Sequence, residues 1–143
     1  MNKRSGKLQE ICASLLILLF IYTAMSKIVD VESFRRSLEK QPFTGLQQRI
    51  LFYVLPSTEI LLCILLIPVY TRKIGLWLSM ALLGVFCIYI LLIILNYFPY
   101  VPCSCGGVLK MMGWHTHLIF NLFFITVAVI GLVNLSRKEA SAI

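Results

Sequence analysis

The stretch from Ile74 to Phe98, IGLWLSMALLGVFCIYILLIILNYF, holds no charged residue along its 25 positions. A helix of about 20 apolar residues is enough to cross the hydrocarbon core of a bilayer, which is about 30 Å thick. The whole chain of 143 residues is 59% hydrophobic and 13% charged, whereas soluble domains carry about 25% charged residues. The sequence therefore predicts a protein whose solvent is lipid.

Three further apolar runs are long enough to cross a bilayer. They extend over Leu8–Ile28, Ile50–Tyr70 and His117–Leu135. Strands of a membrane barrel would be about 10 residues long with alternating polarity, and these runs have neither property. We therefore predict an all-α fold in which residues 1–143 form one integral membrane domain, built as a four-helix bundle.

Between the first two runs, a short segment has the pattern of an amphipathic helix. Val31, Phe34 and Leu38 recur at spacings of three and four residues, and basic side chains lie off that stripe. Asp30 is suited to cap the start of such a helix, and Pro42 to end it. We expect a short helix that lies along the membrane interface in the first outer loop.

The basic residues indicate how the chain is oriented. The formal net charge is +7, and three short segments at one end of the predicted spans are basic: the N-terminal tail, the TRK turn at 71–73 and the SRK segment at 136–138. Because cytoplasmic loops carry an excess of Lys and Arg, we expect both termini in the cytoplasm and the remaining loops outside. The positive charge suits anionic lipid headgroups and requires no nucleic-acid partner.

Glu59 is an acidic residue within the second predicted span. An ionisable side chain there is costly to bury and usually has a function or a partner. One interpretation is a proton carrier or a contact for a quinone headgroup. The other is a structural pair with Lys27 or Ser26, near the end of the first span. Both interpretations predict that Glu59 faces the interior of the bundle.

Other polar side chains and three cysteines also lie within the spans. His117 and Asn121 are four residues apart and share one helix face, where they either pack against a neighbouring helix or line a site. A buried cysteine usually behaves as a small apolar residue. We expect that behaviour from Cys12, Cys63 and Cys87.

The loop before the last span reads PYVPCSCGGVLKMMGWHTH from Pro99 to His117. Cys103 and Cys105 are separated by one residue, so a disulfide between them would close a small, strained ring. Strained disulfides are more oxidising and tend to be labile or catalytic, and a small loop gains little stability from closure. The pattern favours reversible thiol chemistry, with a structural disulfide or pairing with a different thiol as the alternative.

The same loop contains His115 and His117, which adds a metal site to the alternatives. Two cysteines and two histidines are ligand types of Zn²⁺, but their spacing differs from the usual C-x2-4-C and H-x3-5-H. If both histidines were helical, about 200° would separate them and their imidazoles would not converge. The metal site is therefore the weaker alternative.

Four segments carry a family resemblance: IYTAMSKIVDVESF at 21–34, LPSTEILL at 55–62, PCSCGGVL at 102–109 and GWHTHLIFN at 113–121. Through them the chain resembles the MauE branch of the DoxX-like membrane proteins, which are redox-associated proteins of four helices. The resemblance implies a bacterial inner-membrane protein linked to thiol or quinone redox. It also implies that Cys103 and Cys105 are the redox pair, with Glu59 and Lys27 in recurring polar positions.

These features give thiol–disulfide exchange as the leading hypothesis. The resemblance implies help in the maturation of exported proteins, with a periplasmic thioredoxin-like partner or an exported thiol as substrate and quinone as the candidate cofactor. Lys27, His117 and Asn121 join Glu59 as the residues expected near that cofactor. The alternatives are a non-enzymatic accessory or assembly subunit of a membrane complex with a structural disulfide, and metal binding at the Cys/His loop.

Overall fold

The computed structural model describes residues 3–97 and 113–140, with the side chains of residues 6–97 and 113–137. The helices in these ranges are α1 Lys3–Val29, α2 Val31–Glu39, α3 Gly45–Leu66, α4 Arg72–Ile94 and α5 Trp114–Ala140. All of them except α2 are long and apolar enough to cross a membrane. The predicted all-α membrane fold with four spans is confirmed.

The short helix predicted between the first two spans is confirmed as α2. The carboxylate of Asp30 accepts a hydrogen bond from the backbone N–H of Ser33 at 3.1 Å, as an N-cap residue does. Phe34 and Leu38 are buried, whereas Val31 of the same stripe is 45% exposed. The helix packs against α3 and α1, so its apolar face covers one end of the bundle.

The second span begins earlier than its apolar run predicts. The helix starts at Gly45, five residues before Ile50. Thr44 accepts a hydrogen bond from the backbone N–H of Gln47, and the Gln47 side chain accepts one from the backbone N–H of Thr44. This capping box satisfies donors that a helix start leaves unpaired. The helix then continues through Pro56 to its end at Leu66.

A buried arginine closes the turn between α3 and α4. Arg72 is 8% exposed; its Nε donates to the Leu66 carbonyl at 3.1 Å, and its Nη2 donates to the Ile67 carbonyl at 3.0 Å. Carbonyls at the end of a helix lack a helical partner and carry the negative end of the helix dipole. The guanidinium group therefore stabilises the end of α3 where the chain reverses direction.

The ends of the other spans also differ from the predicted bounds. The fourth helix stops at Ile94, four residues before Phe98. Asn96 has a φ of 56°, a left-handed conformation that asparagine tolerates and that cannot continue a helix. Pro99 and Pro102, which follow this end in the sequence, lie outside the described residues. α1 and α5 extend beyond their apolar runs at both ends.

The spans form a bundle in which α1 packs against α3 and α5, and α4 packs against the same two helices. Gly131, late in α5, meets Cys12, early in α1, so these two helices are antiparallel. The core between the helices is aliphatic, with Leu16, Leu66 and Leu76 fully buried. Large apolar side chains also cover the outside of the bundle, as contact with lipid requires.

Gly131 is a point of close packing between three helices. A Cβ atom at this position would lie 3.1 Å from Cys12 Cβ and 3.4 Å from Leu76 Cδ2, and membrane helices approach closely at such small residues. We expect Gly131→Val to lower the free energy of unfolding in detergent by about 1–3 kcal/mol through overpacking. Gly84→Val is the matched control, since a Cβ there meets nothing within 4 Å. Equal losses at both positions would contradict this packing argument.

Candidate functional site

A lysine side chain is buried in the last turns of α1. Lys27 is 5% exposed, and its Nζ donates to the Thr23 carbonyl at 3.1 Å. Because helical side chains point toward the helix N-terminus, the ammonium group lies deeper in the bundle than its own Cα. The ring centroid of Phe34, on α2, is 5.9 Å from Nζ, within the range of a cation–π contact. The charge is thus held inside the bundle.

The partner of Lys27 is Glu59 on α3. Lys27 Nζ lies 2.8 Å from Oε1 and 3.0 Å from Oε2 of Glu59. Glu59 is 3% exposed, so both charges are removed from water and depend on one another. Glu59 faces the bundle interior, as both interpretations predict, and its partner is the one named in the structural interpretation, Lys27. The other proposed partner, Ser26, donates instead to the Thr23 carbonyl at 2.9 Å.

His117 and Asn121 occupy one face near the start of α5, as their spacing predicts. They are 3% and 4% exposed, respectively. Within the described part of the chain, Asn121 Nδ2 is buried and has no acceptor. A buried amide donor without an acceptor is costly. This N–H group therefore indicates a place for an acceptor such as water.

A small cavity of about 50 Å³ joins these side chains. Its lining includes a polar cluster, the name we give to Lys27, Glu59, His117 and Asn121. A cavity needs about 10–15 Å³ to hold one water molecule, so this one has room for a few. Small-molecule sites usually measure about 300–1,000 Å³. The described residues therefore enclose too little volume for the expected quinone headgroup.

The polar cluster lies at the end of the bundle where α1 ends and α5 begins. Lys27 belongs to the last turn of α1 and His117 to the first turn of α5. α4 runs antiparallel to α5 and ends on the same side. Because residues 98–112 join α4 to α5, both attachment points of this segment are at the polar-cluster end. Cys103 and Cys105 belong to this segment and lie outside the described residues.

The three cysteines inside the spans are free thiols. Cys12 is 4% exposed and Cys63 is 7% exposed, and both belong to the aliphatic core. Cys63 Sγ donates to the Ile17 carbonyl at 3.8 Å, and Cys87 is half-buried. These cysteines pack as small apolar residues, as predicted.

His115 and His117 face different environments although both belong to α5. His117 is buried in the polar cluster, whereas His115 is exposed. In the ranges that the structure describes, no three His, Cys, Asp or Glu side chains are grouped so that they could hold a metal ion. The two imidazoles do not converge, which argues against a metal site that uses both.

Two contacts of the polar cluster were not predicted from the sequence. Thr23 supplies a carbonyl to Lys27, and the ring of Phe34 approaches the ammonium group. The first contact has a signal in the sequence, since Thr23 precedes Lys27 by four residues and shares its helix face. The second depends on how α2 folds over the bundle, which no local pattern specifies.

Comparison with known protein families gives a match over most of the chain. The family model described as Methylamine utilisation protein MauE matches residues 5–134. This range covers the polar cluster and the segment that contains Cys103 and Cys105. No curated protein and no solved structure matches the chain.

Proposed function

The chain belongs to the MauE family, and from this premise we propose that it takes part in thiol–disulfide exchange at the bacterial inner membrane. Cys103 and Cys105 form the exchanging pair. The family is named for methylamine utilisation, and the step proposed for this chain is the maturation of exported, disulfide-containing proteins. A periplasmic thioredoxin-like protein or an exported thiol protein is the partner.

The observation that carries the proposal is the position of the polar cluster at the attachment points of the cysteine-bearing segment. Ionisable groups inside a membrane span are functional by default, because their burial is costly. Glu59 and His117 are proton-binding groups, the cavity beside them has room for water, and Asn121 offers an unpaired donor. These features support a site that takes up and returns protons during exchange.

Electrons and protons are exchanged in equal numbers between the cysteine pair and its partner. One thiolate of the reduced pair attacks the partner's disulfide to form a mixed disulfide, which the second thiolate then resolves. Cys103 and Cys105 become a disulfide, and two electrons and two protons move to the partner, which becomes a dithiol. A dithiol of an exported protein reduces the Cys103–Cys105 disulfide by the reverse steps, and the exported protein gains a disulfide. The polar cluster receives the proton of the ionising thiol and returns one to the leaving thiolate.

We also propose that both termini are cytoplasmic, which places α2 and the polar cluster at the periplasmic end. The short basic segments support this orientation, because Lys and Arg are enriched on the cytoplasmic side. Arg72 of the TRK turn is buried as a helix cap. Lys73 and the basic residues of the two tails therefore provide most of the topological signal.

A second candidate function is an accessory subunit of a membrane complex with a structural disulfide. The observation that favours it is the complete pairing of Lys27 with both carboxylate oxygens of Glu59, since a purely structural ion pair has the same geometry. The two functions differ in whether the thiols must react. Replacement of Cys103 and Cys105 by serine distinguishes them.

The test of the proposed function is the redox state of Cys103 and Cys105 in intact membranes. The protein carries alanine in place of Cys12, Cys63 and Cys87, and a membrane-impermeant thiol reagent is applied before and after mild reductant. We expect little labelling before reduction and full labelling afterwards, because a strained disulfide opens readily.

Two outcomes would contradict the proposal. Free labelling without reductant would exclude both a resting exchange disulfide and a structural disulfide, and would favour docking or metal binding at this loop. Labelling that occurs only after the membranes are broken would show that the cysteine-bearing segment is cytoplasmic, opposite to the proposed orientation. The control is a protein that retains Cys63 as its one cysteine, which should stay unlabelled because Cys63 is buried in the core.

A further inference from the structure

A second site lies apart from the polar cluster, between α2 and the first turns of α3. It is a groove of about 500 Å³, which is within the size range of small-molecule sites. Its lining includes Arg35 and Glu39 of α2, together with Arg49, Phe52 and Tyr53 of α3. We call it the arginine groove.

The arginine groove has an excess of positive charge. Its lining contains two arginines and one glutamate. Arg35 Nε lies 3.4 Å from Glu39 Oε1, in an exposed pair that leaves the other N–H groups of the guanidinium for another acceptor. Arg49 is exposed and belongs to no ion pair in the described part of the chain. The lining therefore favours an anionic ligand.

The groove lies where the polar and apolar parts of α3 meet. The helix reads GLQQR from Gly45 to Arg49 and continues with the apolar stretch ILFYVL from Ile50 to Leu55. α2 buries Phe34 and exposes its arginines, as expected of a helix at the membrane interface. Tyr53 is 65% exposed, and tyrosine is enriched at the level of lipid headgroups. The groove is therefore placed at the depth of lipid phosphates.

From these observations we infer that the arginine groove binds the phosphate of an anionic phospholipid headgroup. Arg35 and Arg49 donate to the phosphate oxygens, for which the planar guanidinium group is well suited. The aromatic side chains on the next turn of α3 lie beside the glycerol and the upper acyl chains. A lipid held here anchors α2, whose Phe34 ring approaches the buried ammonium group of Lys27.

Native mass spectrometry of the detergent-purified protein tests this inference. Phosphatidylglycerol is the probe, and phosphatidylcholine is the zwitterionic control. We expect tighter binding of phosphatidylglycerol, and we expect Arg35→Gln and Arg49→Gln each to weaken it about fivefold, the effect of losing one basic contact to an anionic headgroup. Arg36→Gln is the matched control, because Arg36 is 70% exposed on the same helix but pairs with Glu32, outside the groove.

Several results would overturn the inference. Equal binding of the two lipids, binding of neither, or an equal loss in the Arg36 variant would each exclude a specific anionic site. Competition by inorganic phosphate at concentrations similar to those of the lipid would assign the groove to a free anion. Arg35→Lys and Arg49→Lys keep the charge and should retain part of the binding, provided that circular dichroism shows unchanged helix content.

Discussion

Replacing Lys27 by methionine is expected to destabilise the bundle strongly, because it leaves the buried Glu59 carboxylate without its counter-charge. Removing one partner of a buried ion pair costs about 3–5 kcal/mol. Both oxygens of Glu59 accept hydrogen bonds from Lys27 in the interior of the bundle. Glu59→Met should have a similar cost, since it leaves the ammonium group unpaired. The measurement is the free energy of unfolding by SDS in mixed micelles.

A variant with both Lys27→Met and Glu59→Met separates the electrostatics of the pair from its packing. Replacing a buried pair by apolar side chains of similar size is often neutral or stabilising. We expect the free energy of unfolding to return close to the parent value. Glu32→Gln is the control, because it breaks an exposed pair with Arg36 that water screens. A double variant as unstable as either single variant would contradict the electrostatic argument.

The same double variant also tests the proposed proton role. Proton transfer by a positioned side chain usually contributes at least 10²-fold to a rate. If the polar cluster supplies this transfer, we expect exchange in the stable double variant to slow by about that factor. Glu59→Gln, which keeps the size of the side chain but removes its ionisable proton, should show the same loss. Unchanged exchange in both variants would show that the ion pair of Lys27 and Glu59 has a structural role only.

The spans and the members of the polar cluster were predictable because burial in lipid produces two strong signals. Apolar runs of span length identify the helices, and a polar residue inside such a run needs a partner. On that ground, a pair with Lys27 was one of the two interpretations of Glu59. His117 and Asn121 were expected to share a face because of the helical period. All four side chains are buried in the structure.

The exact helix bounds, and the arrangement of the polar cluster around one cavity, were not predictable in the same way. α3 starts before its apolar run because Thr44 and Gln47 form a capping box, which acts through hydrogen bonds and leaves no trace in hydropathy. Arg72 was expected to act as a topological charge, yet it caps the end of α3. The position of His117 and Glu59 around one cavity depends on which helices are neighbours, and hydropathy does not specify that order.

Replacing both Cys103 and Cys105 by serine is expected to abolish exchange and to leave the bundle folded. Serine cannot form the mixed disulfide, so neither step of the exchange can proceed. The core of the bundle is built from side chains of the spans, so its stability should change little. The measurement is the oxidation of reduced thioredoxin, used as the probe, by the oxidised protein in vesicles, because a strained disulfide is the stronger oxidant. The rate should fall to that of protein-free vesicles.

The single variants distinguish an exchanging pair from a structural disulfide. Loss of the resolving thiol should trap a mixed disulfide with the probe, visible on a non-reducing gel, whereas loss of the attacking thiol should not. The matched control replaces Cys12, Cys63 and Cys87 by alanine and should retain exchange, because these free thiols are not part of the proposed pair. Undiminished exchange in the variant with both Cys103→Ser and Cys105→Ser would show that these thiols take no part in the mechanism. Correct insertion of the parent protein without any exchange activity would favour the accessory function.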